Sequence, residues 1–370
     1  MHVLSVQLRD FRTYARAEAH LGDGLTVLHG PNGAGKSNLL EALYFGCTGQ
    51  SHRTRNEREL IRFGAQAARV TVRLIDEGRP HELAVGFEPG AQKRMSADGA
   101  PVERLTDFEH RPLVSVFSPD RLELLKGSPS LRRSHIDQLV AALWPSRVAT
   151  RRDYSRVLAQ RNALIAGIRA SRASRATLSS WDLELARHAI ALRDDRASVV
   201  ALLTEPFAQR ASALGLSGTP LLEYRPRSHA ISEQEFVHEL QERLQSDLQR
   251  GFSTHGPHRD ELLILRDGRE LRSFGSQGEQ RVALLALLLA ERAVLALERG
   301  HSPLMLLDDV MSELDSQRRE LLATELSGGG QSVIATTDLS HVPHSQRAGD
   351  GGATRLRISQ GAILQEAIAA

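Results

Sequence analysis

A glycine-rich loop near the start of the chain has the residue types and spacing of a phosphate-binding site. Residues 30–37 read GPNGAGKS and satisfy the pattern G-x-x-x-x-G-K-[S/T]. The loop lies between a predicted buried strand, LTVLH at 25–29, and a predicted helix, NLLEALYF at 38–45. In this setting backbone N–H groups wrap phosphate oxygens, Lys36 reaches the β- and γ-phosphates, and the Ser37 hydroxyl binds Mg²⁺. The alternative is a chance glycine turn, which the flanking strand and helix disfavour.

An apolar stretch that ends in two carboxylates is the second candidate site. PLMLLDD at 303–309 is predicted to be a strand, so Asp308 and Asp309 stand at its carboxyl end. Asp308 is predicted to hold Mg²⁺ through water, and Asp309 to orient or deprotonate the water that attacks the nucleotide. The alternative is an acidic helix cap or surface loop, and the phosphate-binding loop in the same chain weighs against it.

Composition indicates a well-cored protein with room for two domains. The 370 residues are 41% apolar and 25% charged. The longest apolar run, VALLALLLA at 282–290, is far shorter than the roughly 20 residues of a membrane-spanning helix. Cys47 is the single cysteine, so no internal disulfide or Cys-based zinc cluster can form; it is predicted to be a buried small residue on the first helix. These features favour a cytoplasmic protein without membrane partners.

The apolar periodicity changes twice along the chain. Residues 1–126 alternate as strands do, with a hairpin turn predicted at ADGA (97–100), and the pattern becomes helical over 127–250. Strands resume in 251–370, beginning with ELLILRDGRELRSF at 261–274. The predicted fold class is therefore α/β, a mixed sheet plus an antiparallel β subdomain, interrupted by a mostly helical arm domain.

The arm is predicted to contain two long antiparallel helices. Their turn is the Ser/Arg-rich RASRASRATLSS at 169–180, and a further helix follows. The apolar stripes are Tyr154, Val157, Leu158, Leu164, Ile165 and Ile168 on the first helix, Trp181, Leu185, Ala189 and Leu192 on the second, and Phe236, Leu240, Leu244 and Leu248 on the next.

Positive charge is concentrated in the first half of this arm. Residues 127–175 hold ten arginines and two acids, which leaves them at +8 while the rest of the chain carries −6. Such a cluster could follow a phosphate backbone, and the alternative is a solvated helix face in an arginine-rich chain. Aromatic interleaving and sequence-reading motifs are lacking, so recognition of backbone and shape is expected in preference to base sequence.

The segment SFGSQGEQ at 273–280 precedes a long apolar helix and resembles the signature motif of ABC ATPases, S-x-G-x-Q. In that motif the serine and the helix N-terminus bind the γ-phosphate held by another head's phosphate loop. Taken alone it is also a capping box, with Ser276 followed three residues later by Glu279. The order of phosphate loop, signature and acidic strand indicates an ABC-ATPase head.

The chain resembles the RecF family of bacterial DNA replication and repair ATPases, of the ABC/SMC type, from end to end. The resemblance rests on LRDFRTY at 8–14, GPNGAGKSNLLEALYF at 30–45, SHRTRNERELIRFG at 51–64, VFSPDRLELLKGSPSLRR at 116–133, GPHRDEL at 256–262 and LLDDVMSELD at 306–315. It implies ATP contacts by Gly30, Pro31, Asn32, Gly33, Ala34, Gly35, Lys36, Ser37 and Asn38, with Lys36 and Asp309 catalytic. It also implies Mg²⁺ at Ser37 and Asp308, and a partner head's γ-phosphate at Ser276, Gly278 and Gln280. Arg12 is either a nucleotide-contacting arginine or a surface residue at a strand end.

Three departures from the general ABC pattern bear on the rate of hydrolysis. Asp309 stands where glutamate is usual, Thr337 stands where many heads have a histidine, and Ser118 or Asp120 occupies the region of the expected glutamine. A weak ATPase that acts as a switch is therefore expected, and the resemblance implies that its activity is DNA-dependent. The resemblance implies an ATP-driven homodimer on single-stranded or gapped DNA that helps RecO and RecR load recombinase and supports the SOS response. The alternatives are a short-armed SMC-like structural ATPase and the ATPase subunit of an ABC transporter.

The loop HGPHRDEL at 255–262 contains His255, His258 and Asp260, which could be read as metal ligands. A turn whose polar side chains tie down the loop is the favoured interpretation, because no compact third ligand group accompanies them.

Overall fold

The structure is a computed structural model that describes residues 1–343 and 353–366. It divides into two compact units that each contain separate stretches of the chain. The sheet unit comprises Met1–Arg121, Ala213–Gly215 and Leu295–Ala370, and the helical unit comprises Leu122–Ser212 and Leu216–Val294. No helix within the described residues is long and apolar enough to cross a membrane.

The first sheet of the sheet unit is antiparallel throughout and has the strand order β2-β1-β4-β5-β6-β7. Its apolar residues alternate along the strands, so one face packs on the core while the other carries polar side chains. The strands are β1 (His2–Phe11), β2 (Tyr14–His20), β4 (Ala68–Asp76), β5 (Arg79–Phe87), β6 (Arg94–Ala97) and β7 (Ala100–Val102). The predicted hairpin turn at 97–100 is confirmed between β6 and β7.

The second sheet of this unit is mixed and has the order β15-β14-β3-β13-β12-β8, with β15 alone antiparallel to its neighbour. The strands are β3 (Leu25–His29), β8 (Val114–Phe117), β12 (Leu304–Asp308), β13 (Ser332–Thr336), β14 (Thr354–Ser359) and β15 (Ala362–Glu366). The unit's helices are α1 (Lys36–Thr48) and α9 (Ser316–Ser327). The predicted combination of a mixed sheet with an antiparallel β subdomain is confirmed.

The helical unit contains three long helices that share apolar cores. Its helices are α2 (Glu123–Lys126), α3 (Pro129–Leu143), α4 (Val148–Arg169), α5 (Leu178–Ala213), α6 (Glu233–Arg250), α7 (Leu271–Phe274) and α8 (Gln277–Arg299). A small sheet, in the order β11-β10-β9, contains β9 (Pro220–Arg225), β10 (Glu261–Arg266) and β11 (Arg269–Glu270).

Most predicted apolar positions of the arm are buried between α4, α5 and α6. The arm is not a simple helical pair, because α6 contributes Phe236 and Leu240 to the same core as Tyr154 of α4 and Leu185 of α5. Trp181 was predicted to continue the stripe of α5, but it is 36% exposed, so that assignment is wrong.

Residues 251–294 were predicted to belong to the ATPase head, but the structure places them in the helical unit. These residues pack with the helical unit, since β10 pairs along its whole length with β9. Strand β9 was not predicted, and LRSF at 271–274 forms the short helix α7 in place of the expected strand. Pairing between segments some 40 residues apart is invisible to local periodicity, which explains why β9 was missed.

Candidate nucleotide site

The phosphate-binding loop connects β3 to α1, and two of its glycines are required by close contacts. Gly30 has φ 152°, and a Cβ there would lie 2.2 Å from the carbonyl oxygen of Ile358. Gly35 has φ 116°, and its Cβ would lie 2.8 Å from the Tyr14 hydroxyl, which donates to the Gly35 carbonyl at 2.9 Å. Any larger residue would therefore displace a neighbour as well as adopt a strained backbone.

Lys36 is held inside this loop at the place where phosphate oxygens would bind. Its Nζ donates to the carbonyl oxygens of Gly30 at 2.8 Å and Pro31 at 3.0 Å. Burial lowers the pKa of Lys36, and the charges of Asp309 and Asp308 oppose that shift. The ammonium group is thus preorganised between the loop and two carboxylates, as a group that neutralises phosphate charge should be.

Ser37, at the start of α1, meets Asp308, at the end of β12, although β12 is not the neighbour of the strand β3 that leads into α1. The Ser37 hydroxyl donates to Asp308 Oδ1 at 2.9 Å, with β13 lying between β3 and β12. Burial raises the pKa of Asp308, and the adjacent charge of Asp309 raises it further, while Ser37, Arg53 and Lys36 oppose the shift. A carboxylate that is costly to ionise in this setting is one that a divalent cation would stabilise.

Asp309 supplies a second observation that fits Mg²⁺. It has a left-handed backbone, φ 52°, with its N–H donating to the Ala335 carbonyl at 3.0 Å. Its Oδ1 atom is buried without a hydrogen-bond partner among the described residues. One hydroxyl and two adjacent carboxylates are a donor set that suits Mg²⁺ completed by water and phosphate oxygens.

Three further positions were predicted to influence the rate of hydrolysis. Thr337 is exposed immediately after β13, and Ser118 is buried immediately after β8. The side chain of Asp120 lies outside the described part of the structure.

Arg12 is neither a simple surface residue nor a free cation. It donates bidentately to Glu41 of α1, with both N···O distances at 2.8 Å, and Glu41 is fully buried. Ser51 and Arg53 also donate to Glu41, at 2.6 Å and 3.4 Å. Burial would raise the pKa of Glu41, but the hydrogen bonds from Arg12 and Ser51 outweigh it and the net pKa is lowered.

Sequence reasoning missed this network around Glu41. A signal was present, since Glu41 is the one acid in the apolar helix sequence KSNLLEALYFGCT, and a buried acid requires a partner. Arg53 also acts electrostatically on Asp308, which connects the network to the acidic pair. Asn38 belongs to the same region: it donates to the Thr13 hydroxyl at 3.1 Å and accepts from Arg53 at 3.1 Å.

The signature segment forms an exposed helix start in the helical unit. Ser276 and Glu279 make the reciprocal capping box, with Ser276 N donating to Glu279 at 2.8 Å and Glu279 N donating to Ser276 Oγ at 3.3 Å. Ser276 and Gly278 are exposed, whereas the Gln280 side chain is buried and donates to the carbonyls of Leu271 and Gly275 at 2.9 Å and 3.1 Å. In this structure Gln280 holds the preceding turn together.

The loop at 255–262 is tied down as predicted. His255 pairs with Glu239 at 2.6 Å, His258 Nδ1 pairs with the Tyr154 hydroxyl at 2.6 Å, and Asp260 accepts from Arg196 at 3.2 Å. The described residues contain no group of three or more His, Cys, Asp or Glu side chains that could hold a metal, so His255, His258 and Asp260 do not form such a group. Cys47 also agrees with its prediction: it is fully buried on α1, and burial raises its pKa to about 12.

The arginine cluster at 132–175 contains structural as well as exposed members. Arg132 is buried and pairs with Glu261, and Arg161 is fully buried between Asp182 and Asp247 at 2.7 Å and 2.8 Å. These two are unavailable to a polyanion at the surface, and the prediction of contact by some members of the cluster stays open for the others. The exposed members are Arg147, Arg151, Arg152, Arg156, Arg169, Arg172 and Arg175.

Known proteins resemble this chain along its whole length. The model of the RecF/RecN/SMC N terminal domain matches residues 2–347. A DNA replication and repair protein RecF of Streptomyces avermitilis is 35% identical over 98% of this chain and 99% of its own length, and one of Acidothermus cellulolyticus is 36% identical over 91% and 94%.

Two solved structures of RecF, described as a recombination mediator protein in the RecFOR pathway with ATPrS or ATP, agree with the fold. They are 26% identical to this chain, cover 99% of it, and superpose with TM-scores of 0.84 and 0.86. An SMC head, at 16% identity and a TM-score of 0.61, shares the fold alone.

The phosphate loop, the acidic strand end, the signature helix and the two-sheet architecture together define an ATPase head of the ABC type, in the group that contains RecF, RecN and SMC proteins. Within that group, the chain belongs to the RecF family of DNA replication and repair proteins.

Proposed function

We propose that this protein is an ATP-dependent DNA-binding switch of recombinational repair. It binds Mg²⁺–ATP, pairs with a second copy on single-stranded or gapped DNA, and separates after slow, DNA-dependent hydrolysis. The observation that carries the proposal is the preformed nucleotide site, in which Lys36 lies within the loop and Ser37 contacts Asp308. The RecF structures described with ATP and ATPrS support ATP as the nucleotide.

Each side chain of the site has a distinct role in this proposal. Lys36 leaves the loop carbonyls to neutralise the β- and γ-phosphates, and Ser37 with Asp308 holds the metal ion. When bound, Mg²⁺ neutralises charge that develops on the transferred phosphoryl group. Asp309, whose Oδ1 has no other partner in the described residues, orients the attacking water. An aspartate is one methylene shorter than the usual glutamate, which supports slow turnover.

The signature segment supports pairing of two heads. Ser276 and Gly278 are exposed at the start of α8, a helix of 23 residues whose first N–H groups can bind an anion. In the proposed dimer this helix start meets the γ-phosphate bound by the partner's loop. ATP then joins the two heads, and its hydrolysis releases them.

The family supports the remaining partners. Relatives carry the name DNA replication and repair protein RecF, and the solved RecF structures are placed in the RecFOR pathway. RecO and RecR are therefore the proposed mediators, recombinase loading and the SOS response the proposed context, and the cytoplasm the proposed location.

Sedimentation of the pure protein tests this proposal. The wild-type protein is expected to sediment as a monomer alone and as a dimer with ATP and gapped DNA. Lys36→Met should lose ATP binding, dimerisation and stable DNA association together, whereas Ser276→Arg should bind ATP and remain monomeric. Undiminished nucleotide affinity in Lys36→Met would refute the site, and normal dimerisation of Ser276→Arg would refute the head-to-head contact.

Hydrolysis supplies a second test. Asp309→Asn removes the carboxylate placed to manage the attacking water but keeps the size of the side chain. It should bind ATP, accumulate as a closed dimer and turn over more slowly than the wild-type protein. Unchanged hydrolysis would move the role of base to another residue.

A further inference from the structure

Four arginines lie in one line across the outer face of the antiparallel sheet. The pairing register places Arg16 of β2 opposite Arg9 of β1, and Arg9 opposite Arg69 of β4. Arg69 is opposite Gly86 of β5, which is opposite Arg94 of β6. Because directly paired residues project to the same face, these side chains form a single row, here called the arginine row (Arg16, Arg9, Arg69 and Arg94).

The arginine row is exposed and uncompensated. All four residues are exposed, and none of them forms an ion pair within residues 1–343 and 353–366. Other arginines of the same unit behave differently: Arg62 pairs with Asp10, and Arg73 pairs with Glu82. On β5 the acid is Glu82, four residues before Gly86, and Glu88 follows directly after the last residue of the strand.

Such a row is unfavourable for folding alone. Like charges directly opposite one another in a sheet destabilise it, and here the pairs Arg16–Arg9 and Arg9–Arg69 are both of that kind. The next row on the same face, Glu18, Gln7, Thr71, Ala84 and Ser96, carries a single charge. The positive charge is therefore concentrated at one end of the face, which fits a polyanionic ligand.

The length and surroundings of the arginine row favour a nucleic-acid backbone over an acidic polypeptide as its ligand. Five strands at about 4.8 Å spacing make the row roughly 19 Å long, enough to contact several phosphates of a duplex that carries a charge every ~1.7 Å. Gly86, between Arg69 and Arg94, leaves the fourth of the five positions without a side chain, so a ligand can approach the sheet there. Phe63, in the loop between Ile61 and the start of β4, is 99% exposed and places at this end of the sheet an aromatic ring of the kind on which unpaired bases stack.

We propose that the arginine row is a DNA-binding surface that holds the phosphate backbone of duplex DNA on the outer face of this sheet. The proposal rests on the proposed function and locates the DNA on the sheet unit in addition to the exposed arginines of the arm. Contacts through guanidinium groups to phosphates give affinity without base specificity.

The test compares two double variants that remove the same charge from the same sheet. Arg9→Gln with Arg69→Gln removes the centre of the arginine row. Arg73→Gln with Arg79→Gln removes two arginines outside the row, near the opposite end of strands β4 and β5. Binding of a labelled 30-base-pair duplex is measured by anisotropy at several salt concentrations, with ATP and Mg²⁺ present. The row variant should bind more weakly, with a log–log salt slope shallower by about 1.8 for two lost phosphate contacts. The far-end variant should keep the wild-type slope.

Stability and a second polyanion separate the possible failures. The row variant should unfold at the same temperature as the wild-type protein or higher, because like-charge repulsion is relieved. If both double variants have the wild-type slope while the wild-type protein binds DNA, this inference is wrong and the proposed function stands. If the wild-type protein does not bind DNA at all, the proposed function fails as well. Binding of poly-L-glutamate through the row without DNA binding would instead assign the surface to an acidic protein.

Discussion

His258 gives the helical unit a pH dependence that the structure allows to be calculated. Its Nε2 donates to the Ser253 carbonyl at 3.0 Å, and its Nδ1 accepts from the Tyr154 hydroxyl at 2.6 Å, so the neutral ring satisfies both partners. The pKa of His258 is lowered to about 4, chiefly by burial and also by the charges of Arg259 and Arg133, against the opposing hydrogen bond to Ser253 and charge of Asp260.

The direction of the pH dependence follows from comparing the pKa of His258 in the folded and unfolded states. With a folded pKa below the unfolded value of about 6.5, the unfolded chain binds more protons between these values, so stability falls as pH decreases through this range. For His258 the loss is about 2 kcal/mol between pH 7.5 and pH 5, and about 3 kcal/mol once the pH is below 4.

The assay is urea unfolding followed by tryptophan fluorescence. Both tryptophans, Trp144 and Trp181, belong to the helical unit and report on it. His258→Gln keeps a polar side chain but cannot titrate, so its free energy of unfolding should fall by about 2 kcal/mol less than that of the wild-type protein from pH 7.5 to pH 5.

His238→Gln is the matched control, because His238 lies on α6 of the same unit with its side chain 72% exposed. Its loss should equal that of the wild-type protein. Any loss of stability that His258→Gln causes equally at both pH values does not affect the result, because only the change in the free energy of unfolding with pH is compared. Equal pH dependence in His258→Gln and the wild-type protein would refute the argument that His258 is held neutral.

Three further substitutions test the networks that the structure revealed. Arg161→Met leaves Asp182 and Asp247 buried without their partner and should cost about 3–5 kcal/mol in urea unfolding, whereas the exposed Arg156→Met should cost under about 0.5 kcal/mol. Arg12→Ala should destabilise the sheet unit by about 3 kcal/mol, and adding Glu41→Gln should restore most of it; ATP titration of the double variant then shows whether Arg12 also contacts nucleotide. Neutralising Arg151, Arg152 and Arg156 together should flatten the salt slope of DNA binding and leave ATP affinity intact, and an unchanged slope would mean that these arginines only solvate the helix.

Local sequence patterns were sufficient to predict those parts of the structure whose determining residues are close together in the sequence. The phosphate loop, its strand and its helix were predicted because GPNGAGKS specifies its own turn and helix start. The two strand-rich segments and the helices between them followed from periods of 2.0 and 3.6 residues. The buried positions of α6 were predicted for the same reason, since Phe236, Leu240 and Leu248 recur at helical spacing.

The burial of charged residues was harder to predict from the sequence, because their environment depends on partners far away in the chain. Ten arginines at 132–175 look alike in sequence, yet Arg161 is buried by Asp182 and Asp247, the second of them 86 residues distant. The sequence left Arg12 as either a nucleotide-contacting arginine or a surface residue at a strand end, and only the fold pairs it with Glu41. Since a buried charge is tolerated only when paired, packing alone determines which arginines are structural and which remain available to a ligand.

The sequence by itself determined the chemistry of the site and the order of its parts, because phosphate binding requires a short contiguous loop and strand ends of defined residue types. Tertiary structure alone determined that Ser37 and Asp308, 271 residues apart, lie 2.9 Å from one another, and that Arg9, Arg16, Arg69 and Arg94 form one row. Both arrangements depend on strand order and register. These are set by the packing of whole sheets, and no stretch of a few residues encodes them.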